Sequence, residues 1–200
     1  FELTDEQQMI QDAARQFADS ELKPVAADFD KTGNRPLFLE KLKQLAELGF
    51  MGINIDPDFG GTGAGTIAFS LAITELARGC ASVATTTSVT NMVAEVIQAQ
   101  GTDAQKNYFL PKICSGEYSA GSFCLTEPGS GSDAAAMRTR AVQDGDDYVL
   151  NGSKLFISSA EFAGVFVVWA VTDSAAPKGK GITCFLVEAG TPGLVIGKAE

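Results

Sequence analysis

The chain has 200 residues, a hydrophobic share of 45% and a formal net charge of −10. This composition suits one large or two small globular domains, and the charge argues against a nucleic-acid partner, because phosphate binding draws on clustered Lys and Arg. The sequence has no histidine, which excludes Ser–His–Asp hydrolysis and most zinc sites, so we expect no metal.

The cysteine spacing and the lengths of the apolar runs indicate the kind of cellular compartment in which the protein resides. The cysteines are spread without a CxxC pair, at Cys80, Cys114, Cys124 and Cys184. They indicate reduced thiols in a cytosol or a similar compartment, so we expect a bacterial cytoplasmic or a mitochondrial matrix protein. The longest apolar runs are too short to cross a bilayer, so we expect no membrane span. No signal peptide is visible, but the chain begins at Phe1 rather than Met, which leaves open a removed targeting segment.

Residues 1–117 are predicted to form an all-α domain. Thr4 and Thr102 each open a capping-box pattern, with Gln three residues later. Pro24 is expected to interrupt the first helix, Pro36 to open the second and Gly49 to end it. An extended piece at 51–55 is expected next, followed by helices at 67–78, about 82–100 and about 102–113.

A glycine-rich loop, F59-G60-G61-T62-G63-A64-G65, invites comparison with dinucleotide-binding loops. That pattern needs G-x-G-x-x-G, and Thr66 stands where the third glycine should follow Gly61 and Gly63. No second βαβ unit is visible downstream. The pattern therefore favours a simple glycine-rich turn.

The periodicity changes after Gly116, where short β-branched and aromatic runs alternate with turn signals. Strands are predicted at 119–125, 148–151, 153–158, 165–171, 182–187 and 194–196. Helices followed by strands predict an α+β fold, with a barrel- or sandwich-like β-domain over 118–200. Because the chain stops soon after a strand, we expect it to be the front portion of a longer protein.

The stretch FCLTEPGSGSD at 123–133 begins as a strand and then becomes small and polar. Its Gly/Ser segment, Gly129 to Ser132, offers unhindered backbone N–H groups and two hydroxyls. A helix starting at Ala134 would add its positive end, and together these groups suit a pyrophosphate. A polar turn that closes a hairpin explains the same residues equally well.

Two further features have competing explanations. Glu127 and Asp133 could form an acid–base pair, but the pattern favours capping of a turn and of a helix N-terminus. In L155-F156-I157-S158, an aromatic ring and a hydroxyl end a predicted strand. Taken alone, that pattern favours a core aromatic beside a surface serine.

FCLTEPGSGSD and LNGSKLFIS together resemble the acyl-CoA dehydrogenase family. The similarity covers essentially the whole chain, including the 59–63 loop, R78-G79-C80-A81-S82 and KGITCFLVEAGTPGL. The order and spacing are those of the family's N-terminal helical domain and middle β-domain. The resemblance implies a further C-terminal helical bundle beyond Glu200.

The resemblance also implies flavin adenine dinucleotide (FAD) in a cleft between the β-domain and the helical domains. The implied flavin contacts are Phe123, Cys124, Leu125, Thr126, Gly131, Ser132, Phe156, Ile157 and Ser158. Thr126 is expected at the pyrimidine side of the ring, Gly131 and Ser132 at the pyrophosphate, and the Ser158 hydroxyl at N5. Trp and Thr are commonest in the family at positions 156 and 158, so the chain keeps an aromatic wall and a hydroxyl.

The implied reaction removes a proton alpha to a thioester while hydride leaves the beta carbon for flavin N5, as in fatty acid beta-oxidation. The family's glutamate base lies beyond Glu200, so no catalytic residue is assigned. Ala84, Thr85 and Ser88 are expected to line the acyl pocket, with Ser132 also beside the acyl-CoA.

The resemblance further implies a short or branched short-chain substrate, an electron-transferring flavoprotein as acceptor, and a homotetramer. The alternatives are an oxygen-using member of the same fold, either an acyl-CoA oxidase or a flavin monooxygenase, and a non-catalytic flavin-binding assembly subunit.

Overall fold

The computed structural model describes residues 2–198, and the chain divides into two compact units, Phe1–Gly121 and Ser122–Glu200. The first unit is helical and the second is built on a mixed sheet, which confirms the predicted α+β fold. No helix within residues 2–198 combines the length and apolar character that crossing a membrane requires.

The helical unit contains six α-helices in its described part. They are α1 (Asp5–Phe17), α2 (Ala26–Thr32), α3 (Arg35–Glu47), α4 (Gly65–Gly79), α5 (Ala81–Gln100) and α6 (Asp103–Cys114). A π-helical turn, Ala18–Leu22, continues α1. Both predicted capping boxes form, at Thr4 and Thr102. Pro24 lies in the turn before α2, and Pro36 lies in the first turn of α3.

Contacts between helices bury the apolar faces of this unit, and its largest fully buried side chains include Leu22, Leu45, Ile53, Leu76 and Ile97. The segment 51–55 forms turns rather than the predicted extended piece. Buried Asn91 of α5 explains this difference, because its amide holds the backbone there. Its Oδ1 accepts the Ile53 N–H at 2.8 Å, and its Nδ2 donates to the Phe50 carbonyl at 2.8 Å.

The second unit is organised around five strands. They are β1 (Gly121–Cys124), β2 (Arg140–Asp144), β3 (Asp147–Asn151), β4 (Val165–Val171) and β5 (Ile182–Glu188). The order is β1-β4-β2-β3, with β5 also paired to β4. The β2–β3 and β4–β5 pairs are antiparallel, and β2 meets β4 in parallel at a single position. The described strands thus make one open mixed sheet.

Three expectations about the strands were wrong. Residues 153–158 and 194–196 are irregular, and strand β2 was not predicted. The first segment leaves the sheet because Phe156 has a φ of 56°, which no strand ladder accommodates. Strand β2 escaped detection because its sequence, RAVQD, is largely polar and only Ala141 is buried. It forms a hairpin with β3 through a turn at Gly145, whose φ is 63°.

Candidate functional site

Two chain segments with family-like sequences lie side by side in the sheet unit. We call residues 122–132 the first run and residues 154–159 the second run. Four hydrogen bonds join them: Ser122 Oγ to the Ser158 carbonyl (2.7 Å), Leu155 N–H to the Thr126 carbonyl (2.9 Å), and Lys154 Nζ to the Leu125 carbonyl (3.0 Å) and to Glu127 Oε1 (2.8 Å). The structure therefore brings together the two motifs that the sequence singled out.

The Gly/Ser part of the first run is a tight turn with an open end. Glu127 and Ser130 exchange reciprocal backbone hydrogen bonds, and the Ser130 hydroxyl donates to the Asp133 carbonyl at 2.8 Å. Ser130 is therefore buried and its polar groups are used within the loop. Gly131 and Ser132 are exposed, and a Cβ added at Gly131 would meet nothing within 4 Å. Gly129 is likewise exposed and open, so the accessible part of the predicted cradle is Gly129, Gly131 and Ser132.

The predicted helix after this loop does not form. Residues Ala134–Ala136 make only a three-residue 3-10 turn, and the Asp133 side chain caps nothing there. Asp133 pairs with Lys178 instead. A positive helix end and an Asp133 cap were therefore wrong expectations, because three alanines ahead of an extended residue, Met137, cannot complete an α-turn.

A cavity of about 440 Å³ opens next to this loop within the sheet unit. Three cationic side chains, Arg138, Arg140 and Lys178, line it together with the glycines of the β4–β5 connection. Asp173 contributes one carboxylate to the same wall. In a protein with a net charge of −10, these three cations, one of which pairs with Asp133, form a locally basic patch.

Glu127 is a structural carboxylate. It is 7% exposed and accepts hydrogen bonds from the backbone N–H groups of Arg138 (2.6 Å) and Thr139 (3.0 Å), besides its contact with Lys154. Burial raises the pKa of Glu127, but the Lys154 ammonium and these hydrogen bonds outweigh it and hold the pKa at about 2. A carboxylate with so low a pKa is a weak base, and both of its oxygens already accept hydrogen bonds, so Glu127 is a poor general base at neutral pH. Glu127 is therefore a structural cap, as favoured over acid–base chemistry, but its carboxylate holds the backbone before β2 rather than a turn or a helix N-terminus.

The backbone of the second run is strained. Among residues 2–198, Phe156 (φ 56°) and Ser159 (φ 65°) are the non-glycine residues with positive φ. Such backbone costs free energy, and it concentrates at ligand sites where surrounding structure maintains it. The turn keeps Ile157 against Cys124 and Phe166 in the core, and leaves the Phe156 ring 71% exposed. A core position for this aromatic residue was therefore a wrong expectation.

The strand part of the first run alternates between the core and a more open face. Cys124 is buried, and burial raises the pKa of its thiol to about 12, so it stays protonated and unreactive. Phe123, Leu125 and Thr126 are half-buried. The Phe123 ring lies 6.0 Å from the Trp169 ring, between centroids. The flavin contacts implied for these residues stay predictions.

In the helical unit, the three residues predicted for the acyl pocket lie near the start of α5. Ala84 is buried, Thr85 is exposed and Ser88 is half-buried. Their substrate role stays a prediction. Sequence reasoning missed Ser122 and Lys154 as residues that organise the site, because a serine in a strand and a lysine after a turn carry no distinguishing local signal.

Comparison with known proteins agrees with this geometry. The sequence matches the family model "Acyl-CoA dehydrogenase, N-terminal domain" over residues 4–117 and "Acyl-CoA dehydrogenase, middle domain" over residues 122–200. Isobutyryl-CoA dehydrogenase of Dictyostelium discoideum is 45% identical over 99% of this chain and 47% of its own length. Acryloyl-CoA reductase (NADH) of Anaerotignum propionicum is 43% identical over all of this chain and 50% of its own.

Solved structures show the same similarity. Butyryl-CoA dehydrogenase from Megasphaera elsdenii has a TM-score of 0.88 and 38% identity, covering 100% of this chain and 52% of its own. Acyl-CoA dehydrogenase complexed with FAD from Bacillus anthracis has a TM-score of 0.90 and 30% identity, covering 100% of this chain and 33% of its own. A structure described as the electron transferring flavoprotein of Acidaminococcus fermentans has a TM-score of 0.92 and 39% identity, covering 100% and 52%.

The chain spans about half the length of the curated relatives it matches. Both of its units are matched by family models, and the two sequence motifs meet in its sheet unit. The chain belongs to the acyl-CoA dehydrogenase family, a family of oxidoreductases.

Proposed function

We propose that this chain binds FAD and takes part in the α,β-dehydrogenation of a short or branched short-chain acyl-CoA thioester. The observation that carries the proposal is the pairing of the two runs, which leaves one aromatic ring, one hydroxyl and an open Gly-Ser backbone accessible together. The relatives named for isobutyryl-CoA and butyryl-CoA support the substrate class.

The residues present fit FAD. The exposed Phe156 ring offers an apolar face, and the exposed Ser158 offers a hydroxyl. Thr126, a half-buried residue whose carbonyl accepts the Leu155 N–H, offers a second hydroxyl. Gly131 and Ser132 offer backbone that no side chain covers, which suits the pyrophosphate. When bound, FAD would supply the acceptor for the hydride that leaves the substrate.

The cavity lined by Arg138, Arg140 and Lys178 suits the phosphate-bearing part of coenzyme A. Cationic side chains bind phosphate groups through charge-assisted hydrogen bonds, and this cluster is locally basic in a chain whose net charge is −10. Ser132 and Asp133 belong to the loop next to that cavity, and Asp133 pairs with Lys178. The exposure of Ser132 supports the proposal that it lies beside both the flavin pyrophosphate and the acyl-CoA.

No described carboxylate is assigned as the base that takes the alpha proton. We propose that this glutamate lies beyond Glu200, as the resemblance implies. We also propose an electron-transferring flavoprotein as acceptor, since one matched structure carries that name, and a homotetramer in a bacterial cytoplasm or a mitochondrial matrix.

A second candidate is the reverse reaction, reduction of an enoyl-CoA. The observation that favours it is the 43% identity to a protein named acryloyl-CoA reductase (NADH). The same flavin-contacting groups would serve both directions, so the direction depends on the redox partner and the flavin potential.

The test is spectroscopic and uses the full-length protein. We expect bound oxidised flavin after purification, and rapid bleaching of its visible absorbance by butyryl-CoA or isobutyryl-CoA under anaerobic conditions. Reoxidation of dithionite-reduced protein by acryloyl-CoA or crotonyl-CoA, without bleaching by acyl-CoA, would favour the reductase. A yellow protein that neither bleaches nor reoxidises with any thioester supports the non-catalytic alternative and contradicts the proposal. Flavin reduction by acyl-CoA followed by rapid reoxidation with oxygen supports an oxidase.

Replacing Thr126 tests the residue assignment within the same assay. Thr126→Ala is expected to slow flavin reduction by roughly 5- to 150-fold, if its hydroxyl loses a bond of about 1–3 kcal/mol that strengthens as charge develops. Thr126→Ser keeps the hydroxyl and is the matched control. Equal rates in the alanine variant and the wild type would remove Thr126 from the mechanism.

A further inference from the structure

Lys154 is a buried cation that links the two runs. Its Nζ donates to the Leu125 carbonyl at 3.0 Å and to Glu127 Oε1 at 2.8 Å. The side chains of Lys154 and Glu127 are only 10% and 6% exposed. A buried ion pair loses much hydration and adds little net stability, so this one is better explained by the arrangement that it specifies.

Glu127 extends the same link to a third segment. Its carboxylate accepts hydrogen bonds from the backbone N–H groups of Arg138 and Thr139, the two residues immediately before β2. One buried carboxylate therefore ties the first run, the second run and the start of a strand. The Lys154 ammonium and the two backbone N–H groups all donate hydrogen bonds to the Glu127 carboxylate, so its negative charge is compensated within the sheet unit.

The contacts converge on Thr126. The carbonyl that precedes it, on Leu125, is held by the side chain of Lys154, and its own carbonyl is held by the backbone N–H of Leu155. Two consecutive residues of the second run thus fix the peptide groups on both sides of Thr126. These bonds hold the backbone from which the Thr126 side chain projects.

We propose that Lys154 and Glu127 are positioning residues whose buried pair holds the two runs in register and thereby sets flavin affinity and flavin reduction potential. This inference rests on the proposed function, because it presumes that the two runs contact FAD. It assigns a role to two charged residues that touch neither reacting atoms nor, in the assignment above, the flavin itself.

A second buried lysine supplies a matched control. In the helical unit, Lys41 of α3 pairs with Glu21 at 2.7 Å, and the Lys41 side chain is 8% exposed. Removing its charge leaves a carboxylate without its cation, as removing that of Lys154 does. Lys41 makes no hydrogen bond to either run among its described contacts. The Glu21 side chain is 41% exposed, so Lys41→Met reports the effect of removing a buried lysine charge away from the two runs, and its electrostatic cost is smaller.

The experiment measures FAD dissociation, flavin potential and thermal midpoint in the full-length wild type, Lys154→Met and Lys41→Met. We expect Lys154→Met to weaken FAD binding at least tenfold and to alter the oxidised flavin spectrum. A tenfold unequal effect on oxidised and reduced flavin corresponds to about 30 mV in the two-electron potential. Lys41→Met should lower the thermal midpoint and leave FAD affinity within twofold. Lys154→Arg keeps the charge and should recover part of the affinity.

Two further variants keep the test decisive if Lys154→Met does not fold. The double variant E127Q/K154M removes both charges together, and Ser122→Ala removes the bond to the Ser158 carbonyl without touching a charge. We expect weaker FAD binding in both. Wild-type FAD affinity and potential in the double variant, or in a folded Lys154→Met, would overturn the inference and leave the proposed function intact. A wild-type protein that binds no FAD would remove the proposed function itself.

Discussion

The two buried lysines show how differently the two units are built. Lys41 connects α3 to the π-helical turn after α1, in a unit whose helices begin and end at local sequence signals. Lys154 connects two irregular segments that no local signal orders, through bonds between residues 27 and 29 positions apart. Lys41 stabilises the packing of helices that local sequence signals already specify. Lys154, in contrast, helps to determine how the two runs lie against each other.

The difference teaches where function is vulnerable. In the helical unit the energy of the fold comes mainly from apolar burial, which many residues share. In the sheet unit the candidate site depends on a few long-range hydrogen bonds and on strained backbone at Phe156 and Ser159. Damage to the first unit should therefore reduce stability alone, and damage to the second should reduce flavin binding, with or without a loss of stability.

The largest expected effect tests the first half of that contrast. Leu45 of α3 is fully buried. Leu45→Ala should lower the free energy of unfolding by about 3–5 kcal/mol, through lost apolar burial and the cavity left behind. Urea unfolding measures this loss, and FAD titration of the folded variant should give wild-type affinity. A tenfold loss of FAD affinity in folded Leu45→Ala would show that the units are not separable in this way.

The next effect concerns pH and the Glu127 carboxylate. Its pKa is about 2 in the folded protein, below its ordinary value of 4.5. Its stabilising contribution is therefore complete above pH 4.5 and is lost as the pH falls from 4.5 to 2. The full loss is about 3 kcal/mol. The difference in unfolding free energy between the wild type and Glu127→Gln should shrink over that interval.

Glu21, the partner of Lys41, provides the matching pH experiment for the helical unit. The Lys41 ammonium also lowers the pKa of Glu21, but the Glu21 side chain is 41% exposed. Solvent screens that interaction, so the wild type and Glu21→Gln should differ less with pH than the Glu127 pair does. An equal or larger pH dependence for Glu21 would contradict the contrast between the two pairs.

The smallest effect separates stability from function at one residue. Phe156→Gly removes the strain of a φ of 56° and exposes no core, since the ring is already 71% exposed. The apoprotein should gain about 0.5–1 kcal/mol in free energy of unfolding. FAD binding should weaken at the same time, because the ring is lost. Phe156→Ala is the control: it keeps the strain and should weaken FAD binding without the gain. A destabilised glycine variant with normal FAD affinity would contradict both assignments.

Much of the helical unit was predictable because its signals are local. The capping boxes at Thr4 and Thr102, the interruption at Pro24 and the helix start at Pro36 all lie within a few residues of the boundaries they set. The expectation for 51–55 was wrong because Asn91, far along the chain, holds that backbone in turns.

By itself the sequence determined the order of helices and strands, the family, and the two motifs that carry the candidate flavin contacts. Only the tertiary structure decided that Ser130 is consumed within its own loop, that Glu127 is an ionised brace rather than an acid, and that Lys154 joins the motifs. The physical reason is the range of the interactions. Periodicity and caps act within one or two turns of chain, whereas burial, charge compensation and left-handed backbone at Phe156 depend on partners that folding brings together.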